Sequence, residues 1–280
     1  MKKTKPSQKV AATEDPHVQW TITRLQACKS TRKIACLTAY DHITARLLDQ
    51  AGIPLILVGD SLAMTMQGHR TTLPVNMDAM LYHTAAVSRG VRQSLVVADM
   101  PFLSYQVSDT EAIRNAGRLL QESGADAVKI EGGAFRATLI RNLTRNGIPV
   151  LGHIGLTPQS IRLTGAYKVQ GRRARDSNAL LRDAQALEES GVFAMVLECL
   201  PAALGRRITR AVKVPTIGIG AGPGCDGQIL VTHDMLGIFE DFRPRFVKAY
   251  ADLAQRMRTA FTDYRREVEG GAFPDSAHCY

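Results

Sequence analysis

The chain has 280 residues, 45% of them hydrophobic and 22% charged, enough length and apolar content for one large domain with its own core. No apolar run approaches the ~18 residues of a membrane span, and the polar, basic first twenty residues lack the apolar stretch of a secretory signal, so a cytoplasmic protein with no membrane partner is expected. The formal net charge of +9 is dispersed, for example over Arg172, Arg173 and Arg175 and over Arg206, Arg207 and Arg210, without interleaved aromatics, which argues against a nucleic-acid partner.

Residues 1–20 hold four lysines against Glu14 and Asp15 and are expected to be a disordered N-terminal tail, with residues 21–280 forming a single domain. Eight short, apolar, β-branched runs follow in order and are predicted as strands: Ile34–Tyr40, Leu55–Asp60, Leu95–Asp99, Ala127–Glu131, Pro149–Ile154, Phe193–Glu198, Pro215–Ile219 and Gln228–Thr232. Nearly continuous apolar runs of this kind suit parallel strands covered on both faces. Each is read as followed by a longer helical segment. Ser108 to Glu111 has capping-box spacing ahead of a helix over Ala112–Ser123, which Gly124 ends. Asp176–Ser190 closes on Gly191 in the same way, and residues 243–268 are predicted as a long final helix with Pro244 near its first turn. Eight such units in this length define an α/β chain, a (β/α)8 TIM barrel, with a doubly wound open sheet as the alternative. Two connections, residues 60–77 and 155–177, exceed what a barrel needs and read as substrate loops.

Five cysteines show no CxxC or zinc-like spacing and read as reduced thiols, with Cys36 and Cys199 buried and inert in apolar strands. The informative polar residues stand at the carboxyl ends of the strands. These are Asp60 in VGDS, Asp99 in VVADMP, Lys129 and Glu131 in AVKIEGG, His153 in LGHIG and Glu198 in VLECLP. Lys129 and Glu131, two apart, share a strand face and would both project toward the barrel axis. Asp60, Asp99 and Glu131 gathered there without His or Cys suit a hard cation, for which Mg²⁺ is the expected one, and Lys129 would share the charge or hold a substrate carboxylate. Taken singly each residue has a plainer reading: a loop cap for Asp60 and Ser61, a turn for Asp99, a hydrogen-bonded core histidine for His153. Gly218–Gly222, GIGAG, reads as backbone turning and close packing, with approach to a ligand as the alternative.

These residues lie in segments that, in order, resemble the ketopantoate hydroxymethyltransferase family: LVGDSLAMTMQGHRTTLPV, ADMPF, VKIEGG, GHIGLTPQS, GAYKVQGR, VLECLP and IGIGAGPGCDGQILVTHDMLG. The resemblance runs from about Thr21 to the C-terminus. It implies a barrel of the phosphoenolpyruvate mutase/isocitrate lyase type and transfer of a hydroxymethyl group from 5,10-methylenetetrahydrofolate to 3-methyl-2-oxobutanoate. By resemblance Asp60, Asp99 and Glu131 associate with Mg²⁺, directly or through water. Asp60, Ser61, Asp99 and Lys129 contact the keto acid, His153 lies in its pocket, and Glu198 is the catalytic base. The family also implies a homo-oligomer, a decamer in bacteria. Arg70 stands where the family often has an acid, and Ala166 where a second glycine is common. The remaining alternatives are a Mg²⁺-dependent lyase or aldolase acting on another α-keto acid, and a non-enzymatic barrel that binds anions through its arginines.

Overall fold

The computed structural model describes residues 19–240 and 244–280; residues 1–18 of the expected tail lie outside them. Eight strands form: β1 (Ile34–Thr38), β2 (Leu55–Val58), β3 (Leu95–Asp99), β4 (Ala127–Glu131), β5 (Val150–Gly155), β6 (Ala194–Glu198), β7 (Thr216–Ile219) and β8 (Gly227–Leu230). They pair in parallel in chain order, and Ile34 to Leu37 of β1 register with Gly227 to Leu230 of β8, so the sheet closes into a barrel. Closure excludes the open-sheet alternative.

The period of two along each strand sorts the apolar residues into two layers. Leu55 and Leu57, Leu95 and Val97, Leu151, Val196, Ile217 and Ile229 fill the barrel interior. Ile56 and Val58, Val96 and Ala98, Val128 and Ile130 face outward to the helices. Trp20 and Leu25 belong to the inner layer, so the packed domain already includes Trp20, which the sequence reading had assigned to the tail.

The helices are α1 (Ile22–Ala27), α2 (His42–Gln50), α3 (Leu62–Thr65), α4 (Met77–Gly90), α5 (Asp109–Gln121), α6 (Ala137–Arg145), α7 (Ile161–Thr164), α8 (Ala174–Glu189), α9 (Ala202–Ala211), α10 (Thr232–Met235) and α11 (Leu253–Glu269). Ser108 caps α5, its hydroxyl accepting from Glu111 N at 3.2 Å, so the helix begins at the cap and not at the apolar run. Among the described residues no helix is long and apolar enough to cross a membrane.

Two predicted helices are corrected. The connection from β7 to β8 carries none, because only residues 220–226 join the two strands. The final helix starts at Leu253, ten residues later than predicted. Residues 244–252 instead run as an irregular strap, tied to α10 by Tyr250 N donating to Met235 O (2.7 Å) and Leu253 N donating to Leu236 O (3.0 Å). Cys36 is buried inside the barrel as expected, but Cys199 is not a strand residue. It follows β6 in the left-handed region (φ 50°) and is only half-buried.

Candidate active site

The carboxyl ends of the strands open into a cavity of about 410 Å³, whose lining includes Asp60, Ser61, Asp99, Lys129, Glu131, His153 and Glu198. Every residue singled out at the strand ends therefore reaches one space. A wider cleft of about 670 Å³ on the outer surface beside α2 and α4 holds Arg46, Arg89 and Arg92 and none of these groups, so the chemistry is assigned to the barrel mouth.

Asp60, Asp99, Lys129, Glu131 and His153 are all at most 5% exposed. Lys129 forms a close ion pair with Asp99 Oδ1, while Asp99 Oδ2 accepts from Asp60 N at 3.0 Å. Burial works against the Lys129 charge, but Asp99, Glu131 and Asp60 outweigh it and hold the ammonium above the ordinary lysine range. One ammonium does not balance three acids. Burial, with repulsion from Asp99 and Glu131, holds the Asp60 carboxyl well above the usual carboxylate range. Ser61 caps nothing with its side chain; its hydroxyl lies 2.8 Å from Tyr40 Oη, and burial pushes that phenol up to about 12.

His153 stands between two carboxylates, with Nε2 at 3.1 Å from Glu198 Oε2 and Nδ1 at 3.5 Å from Glu131 Oε1. The contacts are ion-pair approaches and lack hydrogen-bond alignment, so both ring nitrogens and Glu131 Oε1 keep hydrogen-bonding capacity. Burial and Lys129 oppose a charge on the ring, but Glu131 and Glu198 prevail and push it up to about 9. His153 is thus a pocket residue and not an isolated core histidine. Glu198 is the least buried of the four carboxylates, its side chain 15% exposed. Gly155 makes room for it: at φ 100° a Cβ there would sit 2.2 Å from Glu198 O, which accepts from Leu156 N at 3.0 Å.

Gln159, which the sequence reading did not single out, binds the acids together. Its backbone N donates to Glu131 Oε2 (3.1 Å), and its Nε2 donates to Asp60 Oδ2 (2.9 Å) and Met100 O (2.9 Å). Tyr105 Oη donates to Gln159 Oε1 at 2.7 Å, which fixes the amide so that its NH2 faces Asp60. The only available signal was its place in HIGLTPQ, since the partners are 28, 99 and 59 residues away in the chain.

The donor set suits a hard cation. Three buried carboxylates share a single lysine, Glu131 Oε1 has no hydrogen-bond partner, and Asp60 keeps Oδ1 outside the bonds described. Among the described residues no three His, Cys, Asp or Glu side chains already converge as a ready metal cage. Both oxygens of Asp99 are engaged by Lys129 and Asp60 N, which suits association through water at that acid.

Fold and site together define an enzyme of the barrel class with a buried carboxylate cluster at the mouth of the barrel. Solved structures share the fold. 2,3-dimethylmalate lyase, a PEP mutase/isocitrate lyase superfamily member, aligns with TM-score 0.59 at 17% identity over 88% of each chain. Phosphoenolpyruvate phosphomutase from Streptomyces platensis aligns with TM-score 0.59 at 13% identity over 89% of this chain and 88% of that one. The family profile "Ketopantoate hydroxymethyltransferase" matches residues 19–276. Curated relatives named 3-methyl-2-oxobutanoate hydroxymethyltransferase are 54% identical in Syntrophus aciditrophicus, over 90% of this chain and 93% of the relative. In Moorella thermoacetica identity is likewise 54%, over 93% of this chain and 97% of the relative. The chain belongs to the ketopantoate hydroxymethyltransferase family.

Proposed function

We propose that this chain converts 3-methyl-2-oxobutanoate to ketopantoate, a step toward pantothenate, with 5,10-methylenetetrahydrofolate as the one-carbon donor and Mg²⁺ as the metal. The observation that carries the reading is the buried group of Asp60, Asp99, Glu131 and Lys129 sharing one cavity with His153 and Glu198. The rival lyase or aldolase reading gives way to the family match over nearly the whole chain.

In this reading Asp60, Asp99 and Glu131 hold Mg²⁺, directly or through water. When bound, the metal supplies Lewis-acid stabilisation of the negative charge that develops on the keto oxygen. The Lys129 ammonium and the Ser61 hydroxyl bind the substrate carboxylate, with Tyr40 fixing the Ser61 oxygen. Glu198 takes the C3 proton, and His153, within 3.1 Å, steadies the Glu198 carboxylate. The resulting enolate forms a C–C bond to the donor methylene. Both methylene C–N bonds break and water supplies the new hydroxyl. The C3 proton and one water proton end on the two folate nitrogens, giving tetrahydrofolate.

C3 deuterium exchange in 3-methyl-2-oxobutanoate, followed by NMR with and without Mg²⁺ and then with the folate added, tests both halves. Mg²⁺-dependent exchange followed by folate-dependent ketopantoate is the expected result. Exchange without ketopantoate returns the chain to the lyase or aldolase reading, and absence of exchange refutes the catalytic assignment.

The expected homo-oligomer has its own support. Met257, Phe261, Tyr264 and Val268 form one stripe of α11, and Phe261 and Tyr264 are 64% and 60% exposed. On the barrel wall Ala35 of β1 and Gln228 of β8 are exposed, and Ile43 and Leu47 of the adjoining α2 are bare as well. A helix without a bed and a bed without a helix in one chain favour pairing between copies. Light scattering of wild type against Phe261→Glu tests it, with a smaller particle expected for the variant.

A further inference from the structure

The loops that follow β3, β4 and β5 meet beside the acid cluster, and one phenol joins them. Tyr105, in the loop from β3 to α5, is 3% exposed and stands outside the set of residues assigned to the reaction. Its loop is braced around it. Ser104 N and Oγ donate to Pro101 O at 3.1 and 2.7 Å, and Asn115 Nδ2 of α5 donates to Ser104 O at 2.8 Å. Leu103 takes φ 68°, a left-handed conformation that strains a residue with a Cβ, yet its side chain is 56% exposed. Its own burial does not offset that strain, so the turn is held for the residue that follows it.

The loop after β4 supports the ring from its other neighbour. The Arg136 guanidinium carbon lies 5.0 Å from the centroid of the Tyr105 ring and 5.1 Å from that of Phe135, within reach of cation–π attraction. No hydrogen bond or ion pair engages Arg136 among the described residues, and its Nε is buried without a partner. The first glycine of AVKIEGG makes this placement: Gly132 has φ 124°, and a Cβ on it would lie 2.8 Å from Arg136 Cγ. Burial, with the charges of Glu131 and Asp60, holds the Tyr105 phenol well above its ordinary range against Arg136, so the hydroxyl stays a donor.

That donor meets an amide with two unlike ends. Gln159 Nε2 faces two acceptors, Asp60 Oδ2 and Met100 O, while Oε1 accepts from Tyr105 Oη and, at 3.4 Å, from Gln106 Nε2. Flipped, the amide would set its oxygen against Met100 O and its NH2 against the phenol proton. A strong bond accepted at Oε1 also polarises the amide and strengthens the bond that Nε2 gives to Asp60. With its backbone N on Glu131 Oε2, Gln159 thus holds one oxygen on each of two acids and leaves Asp60 Oδ1 and Glu131 Oε1 over.

We propose that Tyr105 is a positioning residue for the metal: acting through Gln159, its hydroxyl sets the Asp60 carboxylate in the orientation that receives the cation. The role rests on the metal reading above, in which Asp60 is a ligand.

The test reads the metal directly. Mn²⁺ affinity of the full-length protein without substrate is measured by electron paramagnetic resonance for wild type, Tyr105→Phe, Gln159→Leu and the double variant. Tyr105→Phe keeps the ring and removes one oxygen, and it is expected to weaken Mn²⁺ by about 3–10-fold. In the Gln159→Leu background the same change is expected to move affinity by less than about twofold, because the path to Asp60 is already cut. C3 exchange by Tyr105→Phe at saturating Mn²⁺ is expected within about twofold of wild type, since the phenol touches no substrate. Wild-type affinity in Tyr105→Phe overturns the role and leaves the proposed function standing. So does an equal loss in both backgrounds, which would mean that Tyr105 acts by another route, or exchange that stays low at saturating Mn²⁺. A wild-type protein that takes up no Mn²⁺ defeats the metal assignment, and the role with it.

Discussion

The two ends of the barrel use buried aspartates in opposite ways. At the amino end Asp49 accepts from Arg92 N (3.1 Å), Gln93 N (2.9 Å), Ser94 N (2.8 Å) and Ser94 Oγ (2.8 Å). Asp226, also at that end, accepts from Thr216 N (2.9 Å), Ser30 N (3.2 Å) and Lys29 Nζ (2.7 Å). Burial pushes each carboxyl up, but these donors outweigh it and hold both below the usual carboxylate range. At the carboxyl end Asp60 has the Gln159 amide and a share of one lysine against two neighbouring acids, and its carboxyl is raised. Where donors surround the acid it fastens the loops to the barrel; where they are withheld its oxygens remain available to a cation. Stability and function are thus written in the same residue type at opposite ends of the same strands.

The contrast breaks most sharply at Glu198. Glu198→Gln is expected to lower C3 exchange by about 10²–10⁴-fold while its melting curve and Mg²⁺ binding stay close to wild type. Exchange at the wild-type rate would remove Glu198 from the role of base. The mirror experiment is Asp49→Ala, which strands three backbone N–H groups and is expected to cost about 3 kcal/mol in denaturant unfolding, with exchange per folded molecule unchanged. Since the folded carboxyl of Asp49 lies below its unfolded value, its charge contributes stability in full above about pH 3.9. That contribution is lost as pH falls through the depressed folded pKa, so the gap between wild type and Asp49→Asn should close on acidification. A gap that widened toward low pH would contradict the assignment.

Gln159→Leu sharpens the comparison from inside the mouth. The backbone bond from residue 159 to Glu131 survives, while the amide's bonds to Asp60, Met100 O and Tyr105 Oη are lost. Mn²⁺ affinity measured by electron paramagnetic resonance is expected to fall about 10–100-fold, as for other groups that orient metal ligands. Unaltered affinity would reduce Gln159 to a packing residue. The smallest effect carries the opposite sign. Asp60→Asn removes a crowded charge and, in chelator, is expected to raise stability by about 1 kcal/mol while Mg²⁺-dependent exchange is lost. A destabilised Asp60→Asn protein would show that Asp60 serves the fold as Asp49 does.

The sequence alone determined the eight strands and the acids at their ends, because both are local signals. A β-branched apolar run reports its own burial, and a polar residue closing such a run marks the strand's exit whatever the rest of the chain does. The spacing of Lys129 and Glu131 sufficed to put them on the inner face, with Ile130 outside. What only the tertiary structure decided are the relations between distant segments. His153 meets Glu131 and Glu198 through the register of β4, β5 and β6, and Gln159 reaches Asp60 from 99 residues away. The late start of α11 and the seat of Phe246 on Gly220 depend on how the end of the chain packs once the barrel has closed. No local pattern contains that information, since closure brings together residues whose spacing along the chain is arbitrary.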